Sequence, residues 1–105
     1  MSNHLIQASY TAEGAKSLRK AGGTARRAVV QKMVEGLGGR VEAFYFAFGE
    51  NEAHVIFDLP DNLTAAAISL VVTSTGAVST KTTVLLTPEE IAQAVKSPVD
   101  YRPPD

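Results

Sequence analysis

Along this chain the spacing of apolar residues switches between the helix period and the strand period, and the order of those switches constrains the fold more than any single motif. Leu5 to Tyr10 is a short β-favouring run, and Thr11 follows as a helix N-cap with Glu13 in the first turn. A helical stretch then extends to about Gly38. The pair Gly22-Gly23 interrupts it, since glycine costs about 1 kcal/mol relative to alanine in a helix interior, and Thr24 is predicted as a fresh N-cap. Val29, Val30, Met33, Val34 and Leu37 form one apolar stripe in the second half, which Gly36, Gly38 and Gly39 bring to an end.

Arg40 to Phe48 is aromatic and β-branched, and Gly49, Glu50 and Asn51 turn it into a second strand over Ala53 to Leu59, giving a hairpin. Pro60 ends that strand and Asp61 caps a helix through Ala65, Ala66 and Ala67. Ile68, Leu70, Val71 and Val72 would also suit a strand turning at Ser74, Thr75 and Gly76. The alanine run favours the helix, with Gly76 as its terminator. Ala77 to Leu86 alternates as a strand, and Thr87-Pro88-Glu89-Glu90 is a capping box opening a short helix to about Lys96. Residues 97–105 hold three of the five prolines and read as an extended arm. The order is β-α-β-β-α-β plus a terminal helix, an α+β arrangement with helices on one face of an antiparallel sheet. One domain is expected over residues 1–96, with 97–105 as its tail. Phe44, Tyr45, Phe46 and Phe48 give the strands apolar character on both sides, so the face away from the helices calls for a partner, and a homodimer with facing sheets supplies it.

Composition narrows the chemistry. A chain of 105 residues keeps a modest core without covalent staples, and the absence of cysteine removes disulfides, thiolate zinc sites, iron–sulfur clusters and cysteine nucleophiles together. A net charge of −1 and a pI near 6.1 argue against nucleic acid as the main partner. Met1 to Tyr10 has no basic segment leading into an apolar stretch, and no apolar run approaches the ~20 residues of a membrane span. The expectation is a cytoplasmic protein without membrane partners. Nothing in the sequence calls for a cofactor.

Tyr10-Thr11 with Gly14, the Gly38-Gly39 ending, Phe44-Tyr45, Gly49-Glu50, Val55-Ile56, Pro60-Asp61, and Gly76 with Val78, Thr80, Lys81 and Thr82 together resemble the GYD domain family. The resemblance spans roughly residues 8 to 96 and lies in the order and spacing of these groups. It implies a ferredoxin-like domain that pairs as a dimeric α/β barrel. Where the family pattern carries the Tyr-Asp that names it, this chain has Asn51 and Glu52 after Gly49 and Glu50, so the acid is kept and the aromatic is lost. The wider superfamily implied by the resemblance includes cofactor-free monooxygenases, haem-handling enzymes, isomerases and ligand sensors, so the fold alone does not name a reaction.

Several residues are candidates for chemistry. His4 and His54 are the only imidazoles. With the first and third strands taken as parallel central neighbours, and Tyr10 and Pro60 as level strand ends, both histidines fall side by side as a metal or proton-transfer pair. The plainer reading is two unrelated histidines. Tyr10 and Tyr45 can orient a substrate or act as general acids, though a strand tyrosine more often buries its ring and satisfies its hydroxyl locally. Asp58 and Lys81 are charges within strands, suited to an ion pair or a pocket. A pocket between sheet and helices lined by Tyr10, Tyr45, His54, Phe57 and Lys81 is the sharper expectation. Between Gly14 and Val34 lie Lys16, Arg19, Lys20, Arg26, Arg27 and Lys32 with no acid. Such a segment attracts anions, but without interleaved aromatics it reads first as a solvated helix face. Asn62-Leu63-Thr64 matches a glycosylation acceptor only by chance. Two functional classes therefore stand: a small-molecule binding module, and a small cofactor-free or haem-linked enzyme of the monooxygenase or isomerase type.

Overall fold

The computed structural model describes residues 2–104; Met1 and Asp105, the outer ends of the expected domain and tail, lie outside the described residues. The elements are β1 (Ser2–Tyr10), α1 (Ala12–Ala21), α2 (Gly23–Gly36), β2 (Arg40–Phe46), β3 (Ala53–Leu59), α3 (Asn62–Ser74), β4 (Val78–Leu85) and α4 (Pro88–Ala94). The strands form one antiparallel sheet in the order β2-β3-β1-β4. This is the ferredoxin-like βαββαβ arrangement, with α4 added. No helix among the described residues is long and apolar enough to cross a membrane.

The expected parallel pairing of the first and third strands is corrected. Ser2 stands opposite Leu59 and Ala8 opposite Ala53, so β1 and β3 run in opposite directions. The connection through α1 and α2 returns the chain to start β2 in the direction of β1, and the hairpin then reverses it. Tyr10 and Pro60 consequently lie at opposite ends of the sheet.

Local sequence explains most boundaries. Thr11 caps α1 through the Gly14 N–H, and Gly14 itself is required, because a Cβ there would fall on the Ala77 carbonyl oxygen. The helical stretch breaks at Gly22, whose φ of 89° favours glycine, and its N–H donates to the Leu18 carbonyl at 2.7 Å. That turn comes before Thr24, which lies inside α2 instead of capping it. Gly38, at φ 82°, terminates the helical region. The run from Ile68 to Val72 is helical within α3, and the capping box at Thr87 and Glu90 is complete. β2 ends at Phe46, so Phe48 lies in the following loop, fully exposed.

Alternation along the central strands builds the core. Ile6, Val55, Phe57 and Leu59 pack against Val30 and Val34 of α2 and Ala65 and Ile68 of α3. By contrast residues 88–104 are exposed throughout. The radius of gyration of 16.6 Å exceeds the roughly 13 Å of a compact chain of about this length, which fits an arm standing off the body.

Two adjacent residues anchor α3. The Thr64 backbone N–H and hydroxyl both donate to the Asp61 carboxylate, at 2.8 and 2.7 Å. Those bonds favour the charged form and hold the Asp61 pKa below its usual value. Next to it, Asn62 contacts Nε2 of His4 at 3.0 Å, while Nδ1 of His4 lies 3.2 Å from the Ser2 carbonyl. His4 is 0% exposed. Both partners, Ser2 O and Asn62 Oδ1, are carbonyl oxygens and accept, so each is served by whichever ring nitrogen carries a proton.

Two outcomes test this anchoring. A depressed carboxylate pKa contributes stability that is present above the unfolded value, about 3.9 for Asp, and is lost as pH falls through the folded value. Asp61→Ala is therefore expected to lower the Tm at pH 7, with the gap from the wild type closing below about pH 4, as followed by circular dichroism. Asn62→Ala leaves the buried Nε2 unpartnered and is expected to cost about 1–3 kcal/mol in urea unfolding. A neutral Asn62→Ala change would show that His4 needs no partner there.

Candidate functional site

The small residues of the central strands leave a hollow under the helices. Ala8 and Ala53 face each other across β1 and β3, flanked in register by Thr80 on β4 and Phe46 on β2. Two methyl groups at the middle of the sheet make a low floor. Leu18, Ala21, Ala25, Val29, Val30 and Met33 supply the wall from α1 and α2, and Ile68, Val71 and Val72 the wall from α3. The volume of this cleft, which opens to solvent past Val29 and Val71, is about 460 Å³. That falls inside the roughly 300–1,000 Å³ typical of small-molecule sites, and the lining is likewise mostly apolar.

Few polar groups reach this cavity. Tyr10 closes the end of β1, its ring beside the side-chain-free Gly14. Ser69 and Thr80 share a hydrogen bond at 2.9 Å, and Ser17 and Thr75 complete the hydroxyls. Arg26, in the first turn of α2, lines the cavity and is half-buried. Its place follows from helical spacing, since Val29, Val30 and Met33 sit three, four and seven residues further along the same face. The acid-free basic segment contained this residue, but nothing in the sequence separated it from its five solvated neighbours.

Only part of the expected pocket is brought together. Tyr10 and Phe57 line the cavity, whereas Tyr45, His54 and Lys81 project from the opposite face of the sheet. The reason is the period of two along each strand, which sends His54 away from the helices when Ala53 and Val55 face them. On that open face Tyr45, His54, Gln7 and Lys81 form one row across all four strands. Tyr45 is 71% exposed. His4 stands opposite Phe57 on the helix side, so the two histidines are on different faces and cannot share a metal ion. Among the described residues no group of three or more His, Asp or Glu side chains is placed to hold one.

The remaining candidates have structural partners. Asp58 pairs with Arg40 of the edge strand β2, Nε to Oδ2 at 3.3 Å, while its Oδ1 is buried without a partner. The loop of Gly49, Glu50, Asn51 and Glu52 is tied to β1: the Ser9 hydroxyl donates to the Glu50 carbonyl at 2.8 Å and to Asn51 Oδ1 at 2.9 Å, and the Glu52 N–H donates to the Ala8 carbonyl at 2.9 Å. Asn51 thus fixes a loop in the place where the resemblance expects an aromatic ring.

No curated protein and no solved structure gives a match to this chain. The family model of the GYD domain matches residues 4–95, nearly its whole length and all of its sheet from His4 onward. The chain belongs to the GYD domain family.

Proposed function

We propose that this protein is a cytoplasmic homodimeric binding module for a small, largely apolar molecule. The observation that carries the reading is the cavity of about 460 Å³ between sheet and helices. A domain of this size with no ligand to admit gains stability by filling such a space, at about 1 kcal/mol or more for each missing methyl-sized group. Here the floor is alanine on both central strands. The enzymatic alternative is less well supported, because the titratable groups lining the cavity are one phenol, Tyr10, and one guanidinium, Arg26. A general acid–base pair would need a further group, and Tyr45 and His54 stand across the sheet from it.

Homodimerisation accounts for the open face. Leu5 and Ile56 are cross-strand partners at its centre, flanked by Ala43 and Thr83, and this apolar band adjoins the polar row of Tyr45, His54, Gln7 and Lys81. A second copy laid on that face would remove the band from water.

Both parts are open to direct measurement. The neutral fluorophore N-phenyl-1-naphthylamine is expected to bind the wild type, and Ala8→Leu to weaken it at least tenfold while leaving the Tm unchanged or raised. Equal binding by the variant would remove the cavity from the account. Native mass spectrometry is expected to show two chains for the wild type and one for Ile56→Lys. A wild-type mass of one chain would contradict the dimer.

A further inference from the structure

We infer that the cavity selects an apolar monocarboxylate, an aliphatic or aromatic acid whose hydrocarbon body fills the hollow and whose carboxylate meets Arg26; this rests on the reading of the cavity as a ligand site. Arg26 lines the cavity, and among the described residues no carboxylate lies within ion-pair distance of it. Arg40, on the sheet edge, by contrast engages both Asp58 and Glu42 at 3.3 Å. A guanidinium does not shed its charge, and half-burial beside an apolar wall weakens its hydration without supplying a counter-ion. Its fork of donors matches the two oxygens of a carboxylate.

The surroundings select the sign and number of charges. The lining contains no acid, and neither does the chain from Gly14 to Val34. An anion therefore meets no local repulsion, whereas a cationic ligand would face Arg26 with nothing to offset it. One cation reaches the cavity, because the neighbouring Arg27 lies on a different surface with Gln31, Glu42 and Tyr45. A single negative charge suits that arrangement better than a phosphate dianion. Among the hydroxyls of the lining, that of Tyr10 has no hydrogen-bond partner among the described residues and is available to a second oxygen of the ligand.

The test displaces N-phenyl-1-naphthylamine from the full chain with decanoate, decanol and decylamine, each below its micellar concentration, at pH 7.5. Decanoate is expected to compete about tenfold or more better than decanol, the range in which a charge-assisted bond acts, and decylamine worst. Arg26→Gln is expected to abolish the preference for decanoate over decanol while retaining decanol binding and the wild-type circular dichroism spectrum. Arg27→Gln, which changes the net charge equally on the adjacent residue, is expected to keep the preference. Decanol competing as well as decanoate, or Arg26→Gln and Arg27→Gln behaving alike, would overturn the assignment and leave the cavity as a neutral apolar site. Failure of the fluorophore and of all three amphiphiles to bind would overturn the cavity reading along with it.

Discussion

The antiparallel register of β1 against β3 decides which face every other group takes. These two strands occupy the centre of the sheet, and once Ala8 lies opposite Ala53 the period of two distributes their side chains without further choice. His4, Ile6, Ala8 and Tyr10 turn towards the helices with Ala53, Val55, Phe57 and Leu59. Leu5, Gln7 and Ser9 turn away with His54, Ile56 and Asp58. A slip of one residue on β3 would put Ile56 and His54 under the helices and expose Val55 and Phe57, a loss of apolar burial that nothing on the open face would offset.

On the helix side the two ends of the sheet are packed differently. At one end His4, Leu59 and Val34 are fully buried, and none of them touches the cavity. Gly39 contributes to that end, since a Cβ there would crowd the Asp58 carbonyl, Leu59 and Val34. At the other end the contacts fall on Ala8, Ala53, Ala21 and Ala25, whose methyl groups do not fill the space that the helices span. Gly14 lets α1 approach the Ala77 backbone closely, which fixes the helix position independently of side-chain volume in the hollow. The helices are thus held by close backbone contact and by the packed end, and the hollow end is left unfilled by side chains.

How far the sequence carried the reading follows from the range of each interaction. Thr11, Asp61 and Thr87 cap their helices as their spacing predicts, because a cap is satisfied within three residues. The order of elements was legible for the same reason. The composition of the site was not, because it depends on strand direction and register between residues some fifty positions apart. Taking β1 and β3 as parallel joined His4 to His54, and the expected pocket set His54 beside Phe57 although the period of two puts them on opposite faces of β3. The observed register keeps Tyr10 and Phe57 in the pocket and leaves Tyr45, His54 and Lys81 across the sheet. Thr24 shows the same limit at short range, since it was a competent cap displaced by a glycine that reached positive φ two residues earlier.

The two faces of the sheet consequently divide two kinds of chemistry. The open face carries the titratable row, Tyr45, His54 and Lys81, next to an apolar band centred on Leu5 and Ile56, and the cavity face carries almost none. If a second copy covers the band, the row becomes part of the subunit boundary, away from anything held in the cleft. With so few polar atoms in the lining, the charge of Arg26 and the phenol of Tyr10 stand out from four aliphatic hydroxyls and from a wall that is otherwise hydrocarbon. A ligand held there as proposed would draw its affinity from the volume that the alanines leave open, and its selectivity from Arg26, set at helical spacing behind Val29 and Val30, with Tyr10.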